Sequence, residues 1–120
     1  MLPERDRGYL EDMLAYSREA SASVVGRTID DLVRDRFLNL GLQRLIEIIG
    51  EAASRVSSET QAAYPEIEWG QIIGMRHRLV HGYSLVDLEV LWDTIVRDLP
   101  ALIKELEAIL PPPPITSQEE

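Results

Sequence analysis

Two histidines and a neighbouring arginine are the residues of this chain best suited to catalysis. His77 and His81 are its only histidines, and Arg76 precedes His77 directly. An imidazole titrates near neutral pH, so it can accept and donate protons under physiological conditions. A guanidinium binds phosphate oxygens and stabilises the negative charge that develops in phosphoryl transfer. The segment is therefore suited to act on a phosphodiester, and in RNA the ribose 2′-hydroxyl would supply the nucleophile without a metal ion.

The spacing within this segment leaves several arrangements open. On a continuous helix His77 and His81, four residues apart, would point the same way. Such a pair could bind a metal ion, but no third ligand is evident and the glutamate of an HExxH motif is missing, so no metal site is predicted. Arg76 and His81, five residues apart, would diverge by about 140° on an ideal helix. They would converge on one ligand if the helix ended near His81 or if a second chain supplied half of the site.

Arg78 and Tyr83 flank the same histidine and complete the candidate site. Arg78 is a second cation for a phosphate. The Tyr83 hydroxyl could hydrogen-bond a phosphate or be modified covalently, although a half-buried structural tyrosine would look the same in the sequence. Helical histidines are often structural as well, so spacing alone yields a candidate site and not a proven one.

Helical patterns occupy the chain before this segment. Apolar residues at steps of three and four indicate a first helix and a broad central helix. The first stripe consists of Leu10, Met13, Leu14, Ser17, Ala20 and Val24, and the central one of Leu38, Leu42, Leu45, Ile49, Ala52 and Val56. Gly41 and Gly50 lie inside the central helix, where each costs up to about 1 kcal/mol relative to alanine, so close helix contact or bending is expected at both. Between the two stripes, a capping box of Thr28 and Asp31 predicts a short helix over residues 29–36.

The candidate site lies at the end of a predicted helix. Pro65 suits its first turn, the helix should run from about Glu66 to His81, and Gly82 suits its exit. Nothing alternates with period two for long enough to suggest a sheet. The fold class is therefore all-α, a bundle of four or five helices.

The last predicted helix carries a nearly unbroken apolar stripe from Leu88 to Ile109. It should start near Ser84, with Asp87 as a capping partner three residues later. Pro100 lacks a backbone donor, so it should kink this helix or divide it into two collinear pieces.

Length and composition fit one helical domain. The 120 residues divide into a helical domain over residues 1–110 and a proline-rich tail, expected to be flexible, over residues 111–120. Cysteine is absent, which excludes disulfides and thiolate chemistry. The first residues lack the apolar core of a secretory signal, and no uncharged apolar run approaches the roughly 20 residues that span a bilayer. We therefore expect a cytoplasmic protein without a membrane segment.

The charge excludes one class of nucleic-acid binding. A formal net charge of −9 argues against a nonspecific coat, which would carry a basic face. It leaves room for a local phosphate site. Every cation except Lys104 is an arginine, and arginine matches phosphate oxygens with a planar fork of donors.

The segment Arg76-x4-His81-x-Tyr83 resembles the Arg-x4-His-x-Tyr signature of the HepT-like branch of the HEPN superfamily. A polar residue, often asparagine, commonly follows the arginine in that family, and His77 occupies this place here. The central helix over residues 42–53, with its Ile-Gly-Glu-Ala sequence, also resembles the family, as does the aromatic Trp69 upstream of the signature. The similar order of elements extends from about residue 10 to residue 106.

This resemblance implies an HEPN-like fold and a specific activity. HepT-like proteins are homodimers whose signatures face each other, and they are metal-independent endoribonucleases without a cofactor that often leave a 2′,3′-cyclic phosphate. By this resemblance His81 would be the general acid and base and Arg76 the phosphate clamp. His77 and Arg78 would contact the RNA substrate, and Arg44 and Glu51 would line the groove.

The resemblance also implies a partner. HepT-like toxins pair with an MntA-type nucleotidyltransferase antitoxin in type VII toxin–antitoxin systems, and the antitoxin can silence the toxin by AMPylation of the signature tyrosine. In this chain that residue would be Tyr83.

Two other functional interpretations of the sequence stay open. Some HEPN domains are non-catalytic nucleotide-binding or helper subunits of a nucleotidyltransferase, and this chain would then keep the Arg76 and His81 pocket without cutting RNA. The chain could also be a purely structural helical dimer with incidental histidines. In that case replacing His81 would change stability and not function.

Overall fold

The computed structural model describes residues 2–81 and 85–112, with the backbone alone at Val80, His81, Leu85 and Val86. The helices are α1 (Glu4–Ser23), α2 (Ile29–Arg34), α3 (Arg36–Arg55), α4 (Ser58–Ala63), α5 (Trp69–Ile73), α6 (Met75–Leu79), α7 (Leu88–Asp93) and α8 (Leu99–Ile109). A π-helical segment (Thr94–Asp98) joins α7 to α8. Two-residue strands β1 (Val80–His81) and β2 (Leu85–Val86) pair antiparallel after α6. The predicted all-α bundle is confirmed.

The core lies between three long helical segments. Helix α1 packs against α3 and α8, and α3 packs on its other side against α5 and α6. The predicted apolar stripe of α1 is buried along its length, and Leu42, Ile49 and Ala52 of the α3 stripe are buried with it. Ile46, which widens that stripe, is also fully buried, whereas Leu40 is exposed. Helix α3 is therefore central, as its broad apolar girth predicts.

A buried carboxylate ties the start of α1 to the start of α4. Asp6 is buried, and it accepts hydrogen bonds from the Ser57 backbone N–H at 3.1 Å, the Ser57 hydroxyl at 2.6 Å and the Thr60 hydroxyl at 2.6 Å. The hydrogen bonds from Ser57 and Thr60 lower the pKa of Asp6 because they stabilise the ionised form. Asp6 thus fixes the entry into α4 as a charged group.

The prediction of one helix from Glu66 to His81 is wrong in three places. Residues 65–67 form a turn and a bend, the indole Nε1 of Trp69 donates to the Tyr64 carbonyl at 3.1 Å, and helix α5 begins only at Trp69. Gly74 then separates α5 from α6. Helix α6 ends at Leu79 because Val80 and His81 leave it to pair with β2. The predicted exit at Gly82 lies outside the described residues.

The last helical segment starts later than predicted. Helix α7 begins at Leu88, and Asp87 is its N-cap, since the carboxylate accepts from the backbone N–H groups of Glu89 at 3.0 Å and Val90 at 3.1 Å. The predicted partner Ser84 lies outside the described residues. The discontinuity predicted from Pro100 is present as the π-helical segment, in which the Leu99 N–H bonds to the Thr94 carbonyl, five residues back. The wider turn lies directly before the proline, which has no N–H to donate.

The structure settles two predictions about the short helix α2. The Thr28 N–H donates to the Asp31 carboxylate at 2.8 Å, which confirms this capping box, and α2 ends at Arg34, two residues earlier than predicted. Within the described ranges, no helix combines the length and the apolar character that crossing a membrane requires.

Candidate active-site groove

Helix α3 holds the candidate arginine of helix α6 in place through a carboxylate. The Nε of Arg76 donates to Glu47 Oε2 at 2.8 Å, and Nη1 of Arg44 donates to Glu47 Oε1 at 3.0 Å. Both hydrogen bonds lower the pKa of Glu47, and the one from Arg76 has the larger effect. The carboxylate therefore stays ionised at neutral pH. One glutamate therefore orients two guanidiniums on the same face.

Arg76 keeps donors available for a ligand. Its side chain is 59% exposed, and among the described residues only its Nε makes a hydrogen bond. A guanidinium has five N–H donors, so the four donors of the two terminal amino groups of Arg76 make no hydrogen bond among the described residues. A phosphate placed there would receive the paired donors that bind it best.

Gly50 allows α5 and α6 to approach α3. It is buried in α3, and a Cβ added to it would lie 3.2 Å from the Ile72 carbonyl oxygen and 3.5 Å from that of Ile73. The backbone of α5 thus rests on α3 at this position, and α6 follows α5 after one residue. The predicted close contact is confirmed at Gly50. At Gly41 an added Cβ would meet no described residue within 4 Å apart from its own helical turn, so close contact within the chain is absent there and bending stays a prediction.

His77 shares the groove with Arg76. Both line a shallow cleft of about 190 Å³ next to Glu47, Gly50 and Glu51. His77 is exposed, so its imidazole is accessible to a bound strand. In the described part of the chain, no cluster of three or more histidine, aspartate or glutamate side chains is arranged to hold a metal ion.

Arg78 is not brought together with Arg76. Its Nη1 donates to the Gln71 carbonyl at 2.8 Å, and Nη2 lies 3.8 Å from Asp98 Oδ2. Two residues on a helix differ by about 200°, so Arg78 faces the π-helical segment while Arg76 faces α3. The two cations line different surfaces of this chain.

His81 and Tyr83 follow the end of α6. The backbone of His81 pairs with Leu85 in the short hairpin, and Tyr83 lies outside the described residues. Because α6 ends two residues before His81, the helical i, i+4 relation expected for His77 and His81 does not hold. The same ending meets one condition under which Arg76 and His81 would converge, namely a helix that stops near His81.

A larger cleft continues along α3 towards α1 and contains residues that sequence reasoning missed. It has a volume of about 650 Å³, and its lining includes Tyr9, Arg44, Glu47, Glu51, Arg55 and Arg76. Arg55 donates to Glu51 Oε2 from Nε at 3.1 Å and from Nη2 at 2.8 Å. The i, i+4 spacing of Glu51 and Arg55 was visible in the sequence, but their position beside Arg76 depends on how α6 packs.

Tyr9 lies between two arginines in this cleft. The Arg5 guanidinium carbon is 5.9 Å from the centroid of the Tyr9 ring, a cation–π distance. The Arg5 guanidinium, and more weakly that of Arg55, lowers the pKa of the Tyr9 hydroxyl because a neighbouring cation favours the ionised form. The Tyr9 hydroxyl is therefore close to positive charge from both α1 and α3.

Comparison with known proteins shows the family to which this chain belongs. The family model described as "Ribonuclease HepT-like" matches residues 13–109. The chain belongs to the HepT-like ribonuclease family. This confirms the predicted membership of the HepT-like family, and it supports a ribonuclease activity for the chain.

Individual relatives of this HepT-like chain cover most of its length. "Putative RNase TTE0752" of Caldanaerobacter subterraneus subsp. tengcongensis is 35% identical over 87% of this chain and 93% of its own length. "Probable ribonuclease HepT" of Thermococcus cleftensis is 31% identical over 86% of this chain and 94% of its own. "Putative RNase MJ0125" of Methanocaldococcus jannaschii is 28% identical over 91% and 95%. No solved structure is significantly similar to the chain.

Proposed function

We propose that this HepT-like chain is a metal-independent endoribonuclease toxin that cuts RNA with Arg76 and His81 at the interface of a cytoplasmic homodimer. The observation that best supports the proposal is the arrangement of Arg76. Glu47 orients its guanidinium through Nε, both terminal amino groups lack a partner among the described residues, and the segment with His81 begins directly after its helix.

In the proposed reaction the nucleophile belongs to the substrate. The 2′-hydroxyl oxygen forms a bond to phosphorus while its proton passes to the His81 imidazole. The bond from phosphorus to the 5′ oxygen breaks, and the imidazolium returns the proton to that leaving oxygen. The products are a 2′,3′-cyclic phosphate and a 5′-hydroxyl end. Arg76 donates to the non-bridging oxygens, whose negative charge grows in the transition state.

The remaining signature residues bind the substrate and control the activity. His77, which shares the shallow cleft with Arg76, contacts the strand beside the scissile phosphate. Arg78 contacts the RNA from the other face of α6. An MntA-type nucleotidyltransferase antitoxin attaches AMP to Tyr83, and the added phosphate competes for the arginines that would hold RNA.

An RNA cleavage assay in EDTA tests the enzymatic part of this proposal. Wild type, His81→Ala, Arg76→Ala and Arg76→Lys are compared on one labelled RNA, after mass spectrometry has shown that Tyr83 carries no AMP. We expect full cleavage by wild type, none by His81→Ala or Arg76→Ala, and partial cleavage by Arg76→Lys, which keeps the charge but loses the fork of donors. Arg34→Ala is the matched control, because Arg34 is exposed on α2, away from the groove.

Three results would count against the proposal. Full activity of His81→Ala would refute its role as the acid and base. Cleavage that stops in EDTA would refute metal independence. A wild type that binds nucleotide but cuts no RNA would favour the alternative of a non-catalytic helper subunit. For the antitoxin, incubation with a nucleotidyltransferase and ATP should add one AMP to wild type and none to Tyr83→Phe.

A further inference from the structure

The cleft between α1 and α3 presents a second cationic group one helical turn from the Arg76 clamp. Glu47 holds Arg76, and Glu51 holds Arg55 through two hydrogen bonds. Four residues of an α-helix rise by about 6 Å, so the step along α3 between the two carboxylates is of the same order as that between adjacent phosphates of an extended single strand. Both arginines line the same cleft.

The donors left over at this second position favour an anion. Arg55 uses Nε and Nη2 for Glu51, so Nη1 makes no hydrogen bond among the described residues. Tyr9 lines the same cleft, and its hydroxyl carries a proton that it can donate to an acceptor. Arg55 Nη1 and the Tyr9 hydroxyl are thus both donors with capacity for a phosphate oxygen.

An aromatic ring beside a phosphate site also suits a base. Tyr9 is half-buried and lines the cleft, and Arg5 approaches its ring at a cation–π distance. Proteins that bind single-stranded nucleic acid combine a cationic track for the backbone with aromatic side chains for the bases. The volume of about 650 Å³ leaves room for a nucleotide on this side of Arg76.

We infer that Tyr9 and Arg55 form a subsite for the nucleotide next to the scissile phosphate of a single-stranded RNA. Arg55 and the Tyr9 hydroxyl bind its phosphate, and the Tyr9 ring contacts its base. The inference rests on the proposed function for the position of the scissile phosphate at Arg76. It adds a specificity, since a paired strand cannot place a base against Tyr9.

Binding measurements separate this subsite from the catalytic step. His81→Ala protein is titrated with fluorescent RNAs of two to six nucleotides and with a hairpin of the same length, at several salt concentrations. In this background affinity should rise with the length of the single strand and be weaker for the paired stem. Added Arg55→Ala should weaken binding of the longer strands about tenfold and reduce the salt slope by about 1. Added Arg55→Lys should restore the slope but not the full affinity.

Tyr9 is tested by two substitutions that divide its roles. Tyr9→Ala should weaken binding of the longer strands about tenfold, because stacking on the ring is lost. Tyr9→Phe should keep most of the stacking contribution and lose only the hydroxyl contact. Arg34→Ala is again the control. Equal affinity of all variants for the longer strands, with folding verified by circular dichroism, would overturn the subsite. So would stronger binding of the paired stem.

The two proposals fail in different ways. Cleavage by wild type with no effect of Tyr9 or Arg55 on binding would remove the subsite and leave the nuclease. Strand binding that depends on Tyr9 and Arg55 without cleavage by wild type would leave the subsite and remove the nuclease.

Discussion

Replacing Gly50 with alanine should destabilise the protein, although alanine is the better helix former. The added Cβ would lie 3.2 Å and 3.5 Å from two backbone carbonyl oxygens of α5, and a backbone cannot move aside as a flexible side chain does. Overpacking of this kind costs about 1–3 kcal/mol, while the gain in helix propensity is at most about 1 kcal/mol. The net change in the free energy of unfolding should therefore be a loss of up to about 2 kcal/mol.

Gly41→Ala is the matched control for this prediction. It lies in the same helix, but apart from its own helical turn no described residue is within 4 Å of its added Cβ, so this variant should gain up to about 1 kcal/mol of stability. Urea unfolding of both variants and wild type at one protein concentration measures the difference. Because α6 follows α5, Gly50→Ala should also slow RNA cleavage by displacing Arg76 from Glu47. Equal stabilisation by both substitutions would refute the packing argument.

Three further predictions concern single side chains. Ser17→Ala should raise the free energy of unfolding by about 1 kcal/mol in urea titrations, because the buried Ser17 hydroxyl has no hydrogen-bond partner among the described residues. Asp6→Asn should lower it at neutral pH. The pKa of Asp6 is lower in the folded than in the unfolded protein. The stability that Asp6 contributes is therefore present above the unfolded pKa and is lost as the pH falls through the folded pKa. In urea titrations from pH 7 to pH 2, the free energy of unfolding of Asp6→Asn should fall less with acid than that of wild type. Glu47→Gln should slow RNA cleavage about tenfold, since the charge-assisted contact that orients Arg76 is lost, and unchanged kinetics would contradict that role.

Periodicity predicted the long elements of the fold because their packing is decided by one apolar stripe each. The stripes of α1 and α3 are buried as expected, and Gly50 marks a real helix contact. The region around the site was predicted less well. A turn held by Trp69, five residues from its acceptor, and a break at Gly74 shorten the helix, and apolar periodicity does not encode such local interruptions.

The candidate site residues were predicted from a contiguous motif, but the residues that contact them from other helices were not. Arg76, His77, His81 and Tyr83 stand close in sequence, so the signature could be read directly. Glu47 lies 29 residues away from Arg76, and Tyr9 comes from a different helix. Such partners depend on the docking of α6 and α1 on α3. The separation of Arg78 from Arg76 follows from helix geometry, and a helical projection would have shown it.

Identifying the nucleophile tests most directly the central claim that the chain cuts RNA without a metal ion. An RNA whose wild-type cleavage position is known is synthesised twice, once entirely as RNA and once with a single 2′-deoxy nucleotide on the 5′ side of that position. Both are incubated with wild-type protein in EDTA. We predict that the first is cut to a 2′,3′-cyclic phosphate and a 5′-hydroxyl end and that the second stays intact at this position. Cleavage of the deoxy-substituted strand at the same position and rate would contradict the mechanism.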